Sequence, residues 1–405
     1  MSKPALLLLS PIMPALSGNG LAMRAGATLE ALAADYEVHL LVIPLAAPAG
    51  PAADAVRGWC ERILVHPAGS HVDPLFRLIE GVRDPDQQLA ALLAYPRPAL
   101  GRFATSASVR EAAELARGPH YRVVHVLRLY LGPFAEPYLG RVECRLDLDD
   151  DEPVTRRRIA ALLREDGQER AAAAEESEAL RYQELAAALV PRFDRVYVAA
   201  AADRDLIAAR HPGTDVAVLP NVIRLPGPAA PAAPPPPADG PFTFAFVANF
   251  GYYPNEDAAR WFCARVLPLL RERAGGPFRV RLAGAAPPPA VRMLAAEPEV
   301  TVTGWVPDVG PCYAAAHAVI VPVRAGGGTR IKVLEAFAHR RPVVATPAGV
   351  EGLGVTAGDQ ALVAQAPGDF AAACARLMAE PGLGRALAGR GAAFAAERVP
   401  ARLRP

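Results

Sequence analysis

The stretch "GGGTRIKVLEAFAHRRPVVATPAGVEGL", residues 326–353, decides which fold this chain adopts. It follows the apolar run "AVIVPVRA" at 318–325 and leads into a second apolar run, "PVVA", at 342–345. Apolar runs of this length, separated by a glycine turn and a helix, are typical of parallel strands covered on both faces. A packed core does not need three glycines beside an arginine, a lysine and a glutamate, whereas a binding site for a phosphorylated ligand uses most of them.

The same alternation of short apolar runs and amphipathic stretches extends along the whole chain. Strands are predicted at 5–9, 37–43, 61–65, 122–127 and 195–199, and then at 242–248, 278–283, 299–303, 318–323, 342–345 and 361–364. We therefore expect an α/β protein made of two doubly wound, Rossmann-like domains. The charged stretch 155–190 is predicted to be helical, with an interruption near Gly167.

A proline-rich segment marks the boundary between the two domains. The sequence "LPGPAAPAAPPPPADG", residues 225–240, favours an extended, semi-rigid spacer. We predict an N-terminal domain at 1–224, a linker at 225–241, a C-terminal domain at 242–388 and a terminal helix and tail at 389–405 that crosses back to the first domain. Two such domains would face each other across a cleft, where ligands bind beyond the carboxyl ends of the strands.

Composition narrows the class of protein and its location. The 405 residues carry a formal net charge of +1, so no strong overall field attracts the chain to nucleic acid. The five cysteines are scattered and form no CxxC pair, which favours a reducing compartment. No signal-peptide pattern and no apolar run of membrane-spanning length is present. We expect a cytoplasmic protein, with peripheral contact at the inner membrane face as a further option.

The glycine stretch combines several features of an anion site. Thr329 could cap a helix running from about Arg330 to His339, and the helix N-terminus would attract phosphate. Arg330 and Lys332 would lie in its first turn, where the helix dipole disfavours cations by roughly 0.3–1 kcal/mol, a cost that an anionic ligand would reverse. Glu335, further along the same helix, could accept hydrogen bonds from a ribose diol.

This region resembles the donor-binding region of GT-B glycosyltransferases, and most of all the retaining family 4 group. Further stretches resemble that family in order and spacing: "PIMPALSGNGLAMRAGATLEALA" (11–33), "LPNVI" (219–223), "FAFVANFGYYPNEDAARWFCARVLPLL" (244–270), "VTVTGWVPDVGPCYAAAHAVIVPV" (300–323) and "APGDFAAACARLM" (366–378). The resemblance covers nearly the whole chain and is strong over 244–353. It implies a GT-B fold and transfer of a sugar from a nucleotide-sugar to a hydroxyl acceptor.

The resemblance also implies roles for individual residues. In such enzymes a glutamate at the position of Glu335 binds the ribose, and groups after the glycine loop hold the diphosphate. The donor-binding residues would be Gly18, Gly20, Asn249, Phe250, Trp305, Val306, Gly327, Gly328, Thr329, Arg330 and Glu335, with Trp305 and Val306 framing the base. Arg330, Lys332 and His125 would be catalytic, although Leu127 is an alternative match for the histidine position. The acceptor side would comprise Asn19, Arg128, Asp147 and Asp149, while Asn255 would cap the next helix.

Two departures from the family pattern bear on activity. The family often carries two glutamates eight positions apart, and the first of these positions is Gly327 here. The basic pair that often follows the first strand of the C-terminal domain is absent from "ANFGYYPN", so Arg330 and Lys332 would replace it. The alternatives are therefore a GT-B-fold nucleotide-sugar epimerase, or a non-catalytic subunit that binds a nucleotide-sugar.

The resemblance implies that no cofactor and no metal are needed. The co-substrate would be a UDP-, GDP- or dTDP-sugar, and the acceptor a glycan, a lipid-linked molecule or a small natural product. The acidic run "DLDDDE", residues 147–152, leaves three readings open: a metal site like the Asp-x-Asp of GT-A enzymes, contacts to acceptor hydroxyls, or a solvated strand end that caps a helix. The arginines at 156–158 that follow could form a solvated helix face or bind an acidic acceptor or anionic lipid headgroups.

Overall fold

A computed structural model of the chain describes residues 3–45, 49–222 and 240–397. The chain divides between Asn221 and Val222 into two compact units, called here the N-terminal and the C-terminal unit. Most of the predicted linker, 225–241, lies outside the described residues, as does the end of the predicted tail from residue 398 onward.

The N-terminal unit is built on a seven-stranded parallel sheet. Its strands are β1 Ala5–Ser10, β2 Glu37–Val42, β3 Cys60–Val65, β4 Val123–Leu127, β5 Glu143–Asp149, β6 Arg195–Val198 and β7 Val216–Val218, in the spatial order β3-β2-β1-β4-β5-β6-β7. Its α-helices are α1 Gly20–Asp35, α2 Asp54–Trp59, α3 Pro74–Glu80, α4 Pro85–Ala94, α5 Ser106–Leu115, α6 Glu152–Glu165, α7 Glu169–Leu189 and α8 Ala201–Arg210. Short 3-10 helices lie at Ala68–His71, Ala99–Phe103, Leu129–Ala135 and Val190–Arg192. The five strands predicted for this half are present, and β5 and β7 were missed.

Alternation of side chains along the strands creates two cores, one on each face of this sheet. Leu6 and Leu8 of β1 contribute to one core, whereas Leu7 and Leu9 contribute to the other. All four are at most 1% exposed, which explains why β1 appears in the sequence as a continuous apolar run. The predicted helical interruption near Gly167 is confirmed, since α6 and α7 are separated there and Gly167 has a φ of 71°.

The C-terminal unit is built on a six-stranded parallel sheet. Its strands are β8 Phe242–Val247, β9 Phe278–Ala283, β10 Val300–Gly304, β11 Ala318–Val321, β12 Val343–Ala345 and β13 Ala361–Val363, in the order β10-β9-β8-β11-β12-β13. Its α-helices are α9 Tyr253–Trp261, α10 Leu267–Arg273, α11 Pro289–Arg292, α12 Gly310–Ala314, α13 Ile331–Ala338, α14 Pro347–Val350, α15 Pro367–Ala379 and α16 Pro381–Glu397. A π-helical turn at Phe262–Val266 joins α9 to α10, and a 3-10 helix lies at Met293–Ala296. All six strands predicted for this half are present.

Both sheets reverse their strand order at one place. The reversal lies between β1 and β4 in the N-terminal unit, and between β8 and β11 in the C-terminal unit. In open parallel sheets the crevice at such a reversal, beyond the carboxyl ends of the strands, is where ligands bind. The loops that follow these four strands are therefore the first places to look for a site.

A buried ion pair connects α1 to β5 in the N-terminal unit. Arg24 is 5% exposed, and its guanidinium donates to both carboxylate oxygens of Asp147, at 2.9 and 2.7 Å. Asp147 is fully buried, and burial raises the pKa of its carboxyl group. Arg24 also donates to the carbonyl of Leu219 and to Oδ1 of Asn221, so it reaches the end of the unit. Each charge can remain buried only because the other is present.

We therefore predict that Asp147→Ala destabilises the N-terminal unit by about 3–5 kcal/mol, because it removes the carboxylate to which the buried Arg24 is hydrogen-bonded and leaves only Asp149, 3.6 Å away. Urea unfolding followed by circular dichroism measures the loss. Asp215→Ala is the matched control, since the Arg195–Asp215 pair is about half exposed on both sides, and exposed pairs contribute about 1 kcal/mol or less. Equal losses in the two variants would contradict a special role for the buried pair.

Candidate functional site

The glycine loop follows β11, at the reversal point of the C-terminal sheet. Gly326 has a φ of 127°, which side-chain-bearing residues rarely adopt. A Cβ atom at this position would also lie 3.4 Å from the hydroxyl oxygen of Tyr252 and 3.4 Å from Nη2 of Arg330. The conformation therefore favours glycine, and the approach of Tyr252 shows that the loop after β11 lies against the loop after β8.

Arg330 stabilises the glycine loop through hydrogen bonds to backbone carbonyls. It is 7% exposed, and its guanidinium donates to the carbonyls of Gly327, Gly328 and Ala348. It also lies 3.9 Å from a carboxylate oxygen of Glu351. The expected cap by Thr329 is not formed, because α13 begins at Ile331 with Arg330 at the N-cap position and no side chain capping it. Two of the first amides of α13 donate to backbone carbonyls instead, that of Ile331 to Thr329 and that of Val333 to Arg330, both at 2.9 Å.

Lys332 lies one residue into α13 and is half-buried. Its Nζ donates to Oδ1 of Asn255 at 2.6 Å and lies 5.1 Å from the centroid of the Phe246 ring. Burial lowers the pKa of Lys332 to about 7, and the neighbouring charge of Arg330 acts in the same direction. A phosphate bound beside the amine would favour its charged form.

Glu335 is held by a tyrosine that the sequence interpretation missed. The hydroxyl of Tyr313, a fully buried residue of α12, donates to Oε2 of Glu335 at 2.8 Å. The ring of Tyr313 stacks on His339, with centroids 5.1 Å apart, so its position is fixed. Glu335 itself is half-buried, and burial raises the pKa of its carboxyl group. One oxygen is thus oriented by the protein, and Oε1 has no hydrogen-bond donor among the residues that the structure describes.

The loop after β8 contains two of the predicted donor residues, Asn249 and Phe250. Asn249 is exposed and its Oδ1 accepts a hydrogen bond from the Gly251 amide at 3.1 Å. Phe250, predicted to bind the donor, is fully buried, and its ring packs edge-on against Phe246 with centroids 5.5 Å apart. Its side chain therefore belongs to the core, and only its backbone could contact a ligand.

Asn255 is not the helix cap that the sequence suggested. It is the third residue of α9, is 7% exposed, and donates through Nδ2 to the carbonyl of Asn249 at 2.8 Å while its Oδ1 accepts from Lys332. Asn255 therefore links the loop after β8 to helix α13. A second link between the same regions is the pair of Arg324 with the buried Asp257, in which Nε donates at 3.0 Å.

The remaining predicted donor residues lie on loops of the same unit. Trp305 follows β10 directly and is 71% exposed, with Val306 half-buried beside it. Gly327, Gly328 and Thr329 are half-buried in the glycine loop. Trp305 follows β10 and the glycine loop follows β11, so both segments leave the same edge of the parallel sheet.

The predicted acceptor residues of the N-terminal unit lie in a dense ion-pair network. Arg128 follows β4 and pairs with Asp149 at 3.2 Å, with Asp150 at 2.7 Å and with Glu152. Arg128 and Asp149 both have positive φ values, 75° and 67°, so the network holds them in an unfavourable backbone conformation. Asp147 does not face an acceptor, because its carboxylate is fully buried against Arg24.

The acidic run fits the reading of a strand end that caps a helix, although it is buried rather than solvated. Asp147 and Asp149 lie at the end of β5, and Asp149 accepts a hydrogen bond from Asn221 Nδ2 at 2.9 Å. Asp151 is the N-cap of α6, and its Oδ1 accepts from the amide of Val154 at 3.5 Å. Within the described parts of the chain, no group of three or more His, Cys, Asp or Glu side chains could hold a metal ion. The arginine run is involved in internal contacts as well: Arg156 pairs with Glu175 at 3.1 Å, and Arg157 donates to Gln183 at 2.6 Å.

His125 is not a catalytic residue in this structure. It is the third residue of β4, paired in the sheet between Leu8 and Arg145, and it is fully buried. Its ring stacks on Tyr197, and neither ring nitrogen has a hydrogen-bond partner among the described residues. Burial lowers the pKa of His125 to about 3, so the imidazole stays neutral and out of reach of a substrate.

The loop after β1 is placed as expected, although the role of one residue changes. Gly18 is exposed with a φ of 94°, and Gly20 is the first residue of α1. Asn19 was expected on the acceptor side, but it is the N-cap of α1, where Oδ1 accepts from the amides of Leu21 and Ala22. Its side-chain oxygen is thus used by the helix.

No helix in the described ranges combines the length and the apolar composition needed to cross a membrane.

Comparison with solved structures gives the class of fold. Sucrose-phosphate synthase from Thermosynechococcus elongatus superposes with a TM-score of 0.66 at 17% identity, covering 98% of this chain and 94% of that one. Anabaena HepE in complex with UDP-glucose gives 0.61 at 15% identity, covering 98% and 95%. TarM from S. aureus, in complex with fondaparinux, α-GlcNAc-glycerol and UDP, gives 0.63 at 8% identity, covering 98% and 97%. The protein therefore has the GT-B architecture of two Rossmann-like α/β domains.

A more specific similarity lies in the C-terminal unit. Residues 241–380 match the family described as Glycosyl transferases group 1. This segment contains the glycine loop, Lys332, Glu335 and Trp305, and together with the GT-B fold it supports a glycosyltransferase. Comparison with curated protein sequences gives no significant match.

Proposed function

We propose that this protein is a glycosyltransferase that moves a sugar from a nucleotide-sugar to a hydroxyl acceptor. The observation on which this rests is the arrangement around α13. Lys332 and Glu335 lie on one short helix whose N-terminus follows the glycine loop, at the reversal point of the C-terminal sheet. This arrangement lies inside the segment that matches Glycosyl transferases group 1.

The proposed donor site assigns one chemical task to each group. The glycine loop and the N-terminus of α13 bind the diphosphate, because they combine backbone N–H groups with the positive end of a helix. Glu335, oriented by Tyr313, accepts hydrogen bonds from the ribose. The exposed ring of Trp305 stacks on the base. The donor is a UDP-, GDP- or dTDP-sugar, and UDP is favoured because Anabaena HepE and TarM were solved with UDP or UDP-glucose bound.

The chemical step needs stabilisation of the departing nucleotide diphosphate. Negative charge accumulates on its distal phosphate as the bond to the sugar breaks, and one donor aimed at such charge contributes about 3–4 kcal/mol. We assign this task to Lys332 and to the N-terminus of α13. Arg330 contributes indirectly, by stabilising the loop, because its guanidinium already donates to the carbonyls of Gly328 and Ala348. In this proposal the reaction proceeds with retention and needs no metal, since the cationic groups perform the role that a metal has elsewhere.

The acceptor is proposed to bind to the N-terminal unit. The loops after β1 and β4, which contain Gly18 and Arg128, lie at the reversal point of its sheet. Acceptors of the glycan, lipid-linked and small-molecule classes all present the hydroxyl group that the reaction requires. Contact with a membrane surface and a cytoplasmic location remain part of this proposal.

One observation favours a second function, that of a non-catalytic subunit that binds nucleotide-sugars. Gly327 occupies the place of the first of the two glutamates that family 4 enzymes often carry, so one contact to the donor sugar is missing. The two functions differ in turnover: a transferase alone releases free nucleotide from its donor in the presence of acceptor. Binding of a nucleotide-sugar without any release, even with a panel of acceptors, would support the second function.

The ribose contact can be tested with nucleotides that differ in one hydroxyl group. We predict that wild-type protein binds UDP about 10- to 100-fold more tightly than 2′-deoxy-UDP, because a hydrogen bond to a charged group contributes about 1.5–3 kcal/mol. Glu335→Ala should weaken UDP binding and abolish the preference, whereas Tyr313→Phe should reduce it only partly, since the carboxylate remains. Calorimetric titration measures all six affinities, with GDP and dTDP pairs as alternatives. A Glu335→Ala variant that keeps the full preference would remove Glu335 from the ribose site.

Trp305 offers an optical test of the base site. The chain has three tryptophans, and Trp305 is the most exposed of the large apolar side chains in its unit. We predict that the nucleotide quenches tryptophan emission, and that Trp305→Phe abolishes this change while weakening binding about fivefold to tenfold, at the lower end of the range for base stacking. Trp59→Phe, in the N-terminal unit, is the matched control and should retain the quenching. Quenching that persists in Trp305→Phe would place the base elsewhere.

A further inference from the structure

The use of lysine in this chain is unusual. Of the 43 lysine and arginine residues, only Lys3 and Lys332 are lysines. Lys332 is thus the one lysine in the sequence of the C-terminal unit, and every other basic residue of that unit is an arginine or a histidine. The difference matters chemically, because the guanidinium of arginine stays charged in proteins whereas a buried lysine amine can lose its proton near neutral pH.

Asn255 determines where the Lys332 amine lies. The amide of Asn255 is 7% exposed and has two defined partners: its Nδ2 donates to the carbonyl of Asn249 at 2.8 Å, and its Oδ1 accepts from Lys332 Nζ at 2.6 Å. Because the Asn249 carbonyl can only accept, the amide cannot be flipped without losing both bonds. One of the three N–H donors of a charged Lys332 is thereby used, and two remain for an anion.

The charged groups around Lys332 are few and nearly balanced. Arg330 precedes it at the start of α13, Glu335 follows within the same helix, and Phe246 of β8 contributes a ring face. Burial is the main cause of the lowered pKa, Arg330 adds to it, and Glu335 opposes it. Asn255 contributes a hydrogen bond without a compensating negative charge, so the amine is held in place but not locked in its protonated form.

We propose that Asn255 is a positioning residue: its neutral amide holds the Lys332 amine at the start of α13, and a nucleoside diphosphate binds there together with a proton. This inference rests on the proposed function, and it adds to it a proton linkage and a residue that acts through Lys332. Release of the product nucleotide would then be accompanied by release of the same proton. The affinity for the diphosphate would therefore fall as the pH rises above neutral.

The lysine content makes the first test direct. Protein labelled with ¹³C and ¹⁵N in lysine should give two side-chain signals, and Lys3, whose amine is exposed, serves as the internal reference. In the ligand-free protein the signal of Lys332 should titrate near pH 7. Saturation with UDP should raise the midpoint of Lys332 by at least one pH unit. A ligand-free midpoint near 10 would overturn the inference before any variant is made.

Two substitutions separate positioning from general stability. Asn255→Asp places a carboxylate against the amine, so the midpoint of Lys332 should rise by at least one unit without ligand. Calorimetry of UDP binding at pH 8, in two buffers with different ionisation enthalpies, should then show that the proton uptake seen in the wild type is lost. Asn255→Ala should retain proton uptake but bind UDP about tenfold more weakly. Asn221→Ala, a buried asparagine of the other unit, is the matched control and should change neither quantity.

Failure of the role of Asn255 and failure of the proposed function would give different results in these experiments. If wild-type protein binds none of the nucleoside diphosphates, the proposed function fails, and the proton-linked binding fails with it. If the wild type binds UDP but Asn255→Asp leaves the Lys332 midpoint and the proton uptake unchanged, only the role of Asn255 is overturned. A merely structural Asn255 would lower the melting temperature in both variants with a wild-type Lys332 titration.

Discussion

The geometric constraint on which this structure depends is that all strands of each sheet run in the same direction. Every loop that follows a strand then leaves from one edge of its sheet, and the reversal of strand order opens a crevice at that edge. Residues distant in sequence, such as Asn255 and Lys332, can meet only because the loops after β8 and β11 emerge side by side there. The hydrogen bond between them and the pair of Arg324 with Asp257 stabilise this neighbourhood.

Lys332 and Glu335 of the C-terminal unit have different partners from the charged groups at the same edge of the N-terminal unit. In the N-terminal unit, Arg24 and Arg128 form ion pairs with carboxylates at hydrogen-bonding distance. These pairs neutralise the two arginines and stabilise the ends of the strands. In the C-terminal unit, Lys332 is held by a neutral amide, and Glu335 by a hydroxyl. Neutral partners orient these groups without neutralising them, which leaves their charge available to a ligand.

Arg330 and Lys332 have different roles near the glycine loop. The planar guanidinium of Arg330 can donate to several carbonyls at once, and it fixes the loop in the conformation that Gly326 permits. Such an arginine is costly to redirect toward a phosphate, because the loop carbonyls would lose their donors. The amine of Lys332, with one protein acceptor among its three donors, is better suited to a ligand that enters and leaves.

The sequence by itself determined the two parallel α/β domains, because strands buried on both faces appear as apolar runs whatever their surroundings. It also placed the glycine loop, Lys332 and Glu335 on one short segment, where local spacing is enough to bring them together. It missed β5, since the charged residues Arg145, Asp147 and Asp149 of that strand break the apolar pattern, and their partners lie far away in sequence. Only the tertiary structure decided that His125 and Phe250 are buried in the core, that Tyr313 orients Glu335, and that Asn255 binds Lys332. Burial and long-range pairing depend on how elements pack, and no local pattern of residues encodes that packing.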